Sequence, residues 1–379
     1  MTIVTDPTDL FHRLAQHTLH QLVHQCHQAV YYDTTTVFFY SDFDDFRRKG
    51  YGKNGPRGAP IVKLGVSCTE EYIPLDYQLF AGNTADITCF QNYLDKAGDS
   101  RKILVFAAGC YSFDLVKNLE KNGYQYITSC DITTYQYSSD SQIVWIHNQK
   151  WLLREARYKE HRVIEAYNEE NHTKGVTKLQ RQIQRVHQFT HEVKGKDLMS
   201  QRDKIRDLIT GFGLTALLTV NLGEKEVTLT VDEAKVKQRE AQTKVIVLMT
   251  NLDLSAEAIV TAYLKRDQIE RGIRYLKSPL AIRPVFHSNT DMIRVHFFLV
   301  LVGFLQLASL RLYLKQTHQL TLTLEQILED LSFSSVMTLE PKPGVFSTYA
   351  GRQVDWIHQL LRAWKVPILM EKAPISPSS

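Results

Sequence analysis

The chain has 379 residues, 44% of them hydrophobic and 23% charged, with a net charge of +4. These are globular values: they exclude wholesale disorder and allow one large or two ordinary domains. The mild basicity is compatible with a polyanionic partner without requiring one. Five cysteines (Cys26, Cys68, Cys89, Cys110, Cys130) are odd in number and lack CxxC spacing. They argue against a disulfide framework and for a reducing cytoplasm. The start, MTIVTDPTDLFHRL, has neither the basic residues nor the apolar run of a signal peptide. The longest apolar run, Phe297 to Leu305, is far short of the roughly 20 residues of a membrane span, so it predicts a buried helix and no membrane partner.

Residues 8–29 predict a helix with Leu10, Leu14, Leu19, Leu22 and Val23 on its apolar side. His17, His20, His24 and His27 follow another side. Imidazoles at such spacing can share zinc, but no Cys or acid completes a closed site, and a solvated His/Gln-rich face explains them better. Residues 29–40, AVYYDTTTVFFY, are β-branched and aromatic and predict a strand. Asp33 lies inside it, a costly place for a carboxylate unless it is paired or binds a metal. The stretch 47–60 holds five cations and four glycines, a positive loop suited to touching phosphates or simply solvated. Strands are predicted over 61–68 and 72–80, then a helix near 87–96 capped by Asn83 and Thr84. RKILVFAA, 101–108, predicts a short buried strand, followed by a helix over 111–122 and a strand over 124–129.

Residues 142–153 predict a hairpin turning at Asn148-Gln149. Helices are predicted over 177–194 and 198–209, and strands over 214–222 and 227–231. Lys178, Arg181, Arg185, Lys194, Lys196, Arg202, Lys204 and Arg206 make these helices either a DNA-backbone surface or a solvated charged face. A strand over 244–250 follows, and further on an apolar helix over 290–315. The last stretches are amphipathic (322–331), strand-like (346–354) and helical around Trp356 to Trp364, before a disordered tail.

Ser255 to Lys277 is the stretch around which the rest is organised. Ser255 is an N-cap residue, Glu257 suits the first turn, and Pro279 follows the end. At about 100° per residue, Tyr263, Arg266, Glu270 and Lys277 fall within roughly 60° of one another. Ala258, Ala262, Ile269, Ile273 and Leu276 form an apolar stripe beside them. One edge of this helix therefore packs while the next presents a phenol, two cations and one carboxylate. A solvated face with scattered charge is the bland alternative.

That spacing, Tyr263, two residues, Arg266, three residues, Glu270, six residues, Lys277, resembles the Tyr-Arg-Glu-Lys signature of bacterial insertion-sequence transposases of the DDE class. The resemblance extends from about Tyr31 to about Leu331 and includes Tyr32-Asp33-Thr34-Thr35, the segment from Ile73 to Phe90, and Lys277 to His287. It implies a ribonuclease-H-like α/β fold, a mixed sheet flanked by helices, with a largely β insertion before the last catalytic helix. The implied organisation is an N-terminal helical segment (1–28) in place of a full DNA-recognition domain, a core begun over 29–129, an insertion over 130–243, the end of the core over 244–317 and a C-terminal region over 318–379.

The resemblance implies metal-dependent cleavage and transfer of double-stranded DNA at transposon ends, by a dimer on paired ends, with two Mg²⁺ or Mn²⁺ ions. Asp33 and Glu270 would hold metal, and Tyr263, Arg266 and Lys277 would grip phosphates. The family carries a second Asp near the end of the fourth core strand, in a pattern like Ala-Asp-x-Gly. This chain reads Phe106-Ala107-Ala108-Gly109, with Ala107 in that place. Asp267 also stands where the family has an aromatic residue. An inactive or crippled transposase is therefore expected, with a non-catalytic DNA-binding derivative as the alternative.

Overall fold

The computed structural model describes residues 6–22, 29–39, 44–49, 59–97, 102–192, 197–223, 226–277, 285, 289–332, 336–342, 345–350 and 355–357. In chain order the elements are α1 (Pro7–Leu22), β1 (Ala29–Phe38), β2 (Arg48–Lys49), β3 (Pro60–Thr69), β4 (Pro74–Ala81), α2 (Asp86–Ala97), β5 (Ile103–Phe106), a 3-10 turn (Ala108–Cys110), α3 (Phe113–Lys121) and β6 (Gln125–Ser129). Next come β7 (Gln136–Tyr137), β8 (Gln142–Ile146), β9 (Gln149–Tyr158), β10 (His161–Tyr167), α4 (Glu169–Glu192), α5 (Leu198–Phe212), β11 (Leu218–Leu222), β12 (Val227–Val231), α6 (Glu233–Gln242) and β13 (Ile246–Thr250). The chain continues with α7 (Ala256–Lys277), α8 (Thr290–His318), α9 (Leu324–Ser332), β14 (Val336–Lys342) and β15 (Val345–Ala350). It divides into two compact units, one of Met1–Ser112 with Lys265–Ser379 and one of Phe113–Leu264.

In the first unit β3 lies between β1 and β4, antiparallel to both, and β1 pairs with β5 in parallel. The β1 register runs from Val30 opposite Thr69 to Phe38 opposite Ile61, with Asp33 opposite Val66. Tyr32 stacks with Phe90 and Tyr93 at 4.9 and 5.0 Å, and Phe90 meets Phe106 at 4.5 Å, which ties α2 to β1 and β5. Asp86 opens α2, while Asn83 and Thr84 lie in the turn before it rather than as its cap. In α1 the buried residues are Phe11, Ala15 and Leu19, with Phe11 edge-on to Tyr77 of β4. Leu10 and Leu14 are exposed, a correction to the expected apolar side. Leu19 is buried as expected, but Phe11, edge-on to Tyr77, and Ala15 take the inward positions before it. His17 and His20 are exposed, and His24, His27 and Cys26 lie outside the described residues.

By length and composition α8 could cross a membrane, contrary to what the run 297–305 alone implied. It packs on α1, α9 and β4 and buries Ile293, Phe297, Leu301, Phe304 and Leu305 among others, so it serves here as a core helix. Asn289 caps it through the backbone N–H groups of Asp291 and Met292. A capping box starts α9: Thr323 Oγ1 accepts from Gln326 N while the Gln326 side chain accepts from Thr323 N.

In the second unit the strand order is β6–β13–β10–β9–β7, with β8 beside β9, and β13 is antiparallel to both β6 and β10. The β8–β9 hairpin turns at His147 and Asn148, whose φ angles of 49° and 60° give the primed turn of a two-residue hairpin. That is one residue earlier than expected. The region 130–243 is not largely β. It holds helices of 24, 15 and 10 residues as well as strands. Around α4, α5 and the β11–β12 hairpin forms a separate small core of Leu179, Val186, Ile205, Ile209, Leu214, Leu218 and Val236.

The β3–β4 turn positions α7. Lys265 Nζ donates to Glu70 Oε2 at 2.8 Å, and Lys315 of α8 pairs with Glu71 at 3.0 Å. Tyr72 takes a left-handed backbone, φ 71°, and its ring lies under the Arg311 guanidinium at 4.5 Å. A Cβ on Gly272 of α7 would stand 3.1 Å from the Tyr72 ring and 3.4 Å from Phe304. Gly272→Val should therefore lose about 1–3 kcal/mol of stability through overpacking. Gly272→Ala should stay near neutral, since a helix interior favours Ala over Gly by about 1 kcal/mol. Urea unfolding of the two variants checks this, and equal losses would refute it.

Candidate active site

Alternation along β1 separates two environments, because successive side chains of a strand point to opposite faces. Tyr32 and Thr34 face α2. Thr34 Oγ1 donates to Asp86 Oδ1 at 2.8 Å, and Lys63 Nζ donates to the same oxygen at 2.8 Å. Lys63 also donates to the Thr84 carbonyl. The Asp86 carboxylate lies against the turn after β5: its Oδ2 is 3.2 Å from where a Gly109 Cβ would stand. The sequence reading missed Asp86 and Lys63. Their signal was Asn83-Thr84 followed by Asp86 at a helix start, which was read as capping alone.

Asp33 faces the other way, toward α7. Ser255 begins α7 by accepting from Ala258 N at 3.2 Å. Ala256, Ile259, Val260, Tyr263, Ile273 and Leu276 are buried, whereas Ala258, expected in the apolar stripe, is exposed. Tyr263 is 7% exposed and its hydroxyl donates to Ser129 Oγ at 2.8 Å. Arg266 brings the two acids together. Its Nη1 is 3.5 Å from Asp33 Oδ1, and its Nη2 is 4.0 Å from Glu270 Oε2. The Asp33 and Arg266 side chains are 20% and 16% exposed, and Glu270 is half exposed at 50%. Side chains at 269 and 277 lie outside the described residues, so the contacts expected of Lys277 fall outside them too.

Burial raises the Asp33 carboxyl from 3.8 to about 6; Arg266 opposes that rise, and Glu270 and Asp86 add to it. Ala107 follows Phe106, the last residue of β5. In the parallel β1–β5 pair, Ala29, Val30 and Tyr31 stand opposite Ile103, Leu104 and Val105. The pairing ends at Tyr31 and Val105; a register continued by two residues would set Asp33 level with Ala107, whose backbone is extended at φ −89° and ψ 165°.

The donors at this site are carboxylate oxygens, the kind a hard dication takes. Asp33 and Glu270 fit one such ion in chemistry, with water completing its shell. They do not make a two-metal site, and among the described residues no group of three His, Cys, Asp or Glu is arranged to hold a metal ion.

A model of the transposase DDE domain matches residues 20–303. The match covers most of the chain, and the chain belongs to that family. Among solved structures, it is similar to piggyBac transposase in a synaptic complex with hairpin DNA, at 10% identity and a TM-score of 0.43, over 83% of this chain and 53% of that one. It is also similar to Mos1 transposase in a paired-end complex with the left transposon end, at 16% identity and a TM-score of 0.20, over 32% of this chain and 40% of that one. The chain thus spans about half the length of the piggyBac transposase chain. No curated protein matches the sequence.

Because the folded state holds the Asp33 proton more tightly than the unfolded chain, this group's contribution is best below about pH 4 and is lost as pH rises to about 6. Asp33→Asn removes that dependence. The stability of the Asn variant relative to wild type should therefore improve between pH 4 and pH 7, by at most about 3 kcal/mol. Thermal unfolding of both chains across that range measures it, and a constant difference would contradict the assignment.

Proposed function

We propose that the chain is a DDE-type transposase of the Tyr-Arg-Glu-Lys branch, built to cut and join double-stranded DNA at the ends of an insertion sequence with Mg²⁺ or Mn²⁺, and that it is inactive or severely impaired as written. The observation that carries this reading is the meeting of Asp33 and Glu270 at one guanidinium, although 233 residues separate Asp33 from Arg266. The order of the first unit supports a ribonuclease-H-like core: β1 and β4 flank β3 antiparallel, α2 follows, and β5 returns parallel to β1.

In this reading Asp33 and Glu270 would hold a dication, whose chemistry when bound would be to activate a nucleophile and stabilise a leaving oxygen. Arg266 turns from the acids to a phosphate beside the cleaved bond, with Lys277 further along the helix. Tyr263 reaches a phosphate only by releasing Ser129, so its part is tied to a rearrangement of that hydrogen bond. Ala107 removes one negative charge from a place where two dications would sit. Groups acting as a unit are not additive, so one missing carboxylate costs nearly as much as losing the site. The cytoplasm, with access to the nucleoid, is the proposed location.

Calorimetric titration of Mn²⁺ into three proteins tests the reading. Ala107→Asp should bind at least about tenfold tighter than the chain as written, the scale on which changes around a metal act. Adding Glu270→Ala to Ala107→Asp should remove that gain. An Ala107→Asp variant that binds no better would sink the shared metal site and leave the second reading, a non-catalytic DNA-binding protein derived from a transposase.

A further inference from the structure

We propose that the outer face of α4, centred on Lys178, Arg181 and Arg185, is a docking surface for the sugar-phosphate backbone of duplex DNA. This surface is separate from the Asp33 and Glu270 site, and its basis is the charge pattern of one helix. Glu169 and Glu170 open α4, and no acid follows until Glu192. Lys174, Lys178, Arg181 and Arg185 succeed one another at intervals of four, three and four residues, which places all four along one face, with Thr177, Gln184 and Gln188 beside them. All seven residues are exposed. The other side of the helix carries Leu179, Ile183 and Val186 into the small core with Ile205, Ile209 and Leu218. The cationic face is therefore held outward by packing.

These charges are not neutralised from within. Lys174 pairs with Glu170, but Lys178, Arg181 and Arg185 form no ion pair with any described residue. The neighbouring helices differ. On α5, Arg202 pairs with Asp203, and Asp203 and Asp207 flank Lys204 and Arg206. On α6, Lys235 pairs with Asp232. Glu240 of α6 accepts from Gln180, off the cationic face. At about 1.5 Å per residue the stripe from Lys174 to Arg185 is roughly 16 Å long. Duplex DNA presents about one phosphate charge per 1.7 Å of its axis, so a stripe of this length meets several phosphates at once. Between the cations stand hydroxyl and amide side chains, which hydrogen-bond phosphate oxygens without reading sequence. The surface accordingly fits a backbone and gives no base discrimination.

The test is fluorescence anisotropy with a labelled duplex of arbitrary sequence, over a series of salt concentrations and without divalent cations. It uses the full chain as wild type, as Lys178→Gln with Arg181→Gln and Arg185→Gln, and as a control with Lys204→Gln, Arg206→Gln and Lys237→Gln. The control removes the same net charge from exposed positions on α5 and α6. Each lost phosphate contact should flatten the slope of log K against log salt by about 0.9, so the α4 variant should lose about 2.7 and the control much less. Circular dichroism should be unchanged for both. Should the triple variant lose its fold, Arg181→Gln alone should still flatten the slope by about 0.9. Equal slopes for the α4 variant and the control, or for Arg181→Gln and wild type, would overturn the proposal. So would a wild-type chain that binds no duplex, an outcome that would also remove the DNA partner from the functional reading. A failed metal titration leaves this surface standing.

Discussion

A carboxylate in the middle of a strand persists only if a positive charge is brought to it, and Asp33 is in that position. Burial disfavours its charged form, Arg266 restores it in part, and Glu270 and Asp86 work against the restoration. The rest of the first unit follows from the need to hold Arg266 there. A guanidinium on a helix can serve a strand only if the helix stands at a fixed height and rotation. The β3–β4 turn supplies both: Glu70 pairs with Lys265 one residue before Arg266, and the Tyr72 ring occupies the space beside Gly272 two residues after Glu270. The left-handed Tyr72 is a strained choice for a bulky residue, and its contacts with Gly272 and Arg311 compensate it.

The alanine at 107 changes the charge balance of that arrangement. With a third carboxylate level with Asp33, one arginine would face three acids crowded on one face, and the excess would have to be met by dications or by protonation. With Ala107 the same arginine faces two, one of them half exposed. On the proposed reading of Ala107, the metal-free state is spared the repulsion that a third carboxylate would bring. Sites that hold like charges together generally trade stability for function.

The features legible in the sequence were those set by local pattern. The β-branched run around Asp33, the long helix opened by Ser255 and the strand ending at Phe106 all came from periodicity and caps, and their placement follows the expected order. What periodicity leaves open is which of two neighbouring apolar stripes faces inward. In α1 the sequence offers both Leu10 with Leu14 and Phe11 with Ala15; the structure takes the second because Phe11 meets Tyr77. Neither β10 nor α6 was anticipated. The first is buried between its hairpin partner β9 and β13, a strand distant in sequence. The second buries only Val236 and carries little apolar signal. Asp86 was missed for a similar reason: a polar residue at a helix start has a sufficient local explanation, and its bonds to Thr34 and Lys63 come from other strands.

The region after β6 shows how the same alphabet of charges can be put to two uses. In α5 and α6 acids stand among the cations, with Arg202 paired to Asp203 and Lys235 to Asp232, and such exposed pairs contribute little to stability. In α4 the acids are confined to the ends, where the first two suit the helix dipole, and the middle is left uniformly positive. Self-repulsion along such a stripe is a standing cost, and nothing within the small core requires it: Leu179, Ile183 and Val186 would pack equally well beneath neutral residues. A charge distribution that the fold does not need, kept outward by an apolar face that the fold does need, fits the polyanion proposed for it. That attraction would depend on released counterions, whereas the proposed Asp33 and Glu270 site would depend on a dication, so salt and chelator would act on the two independently.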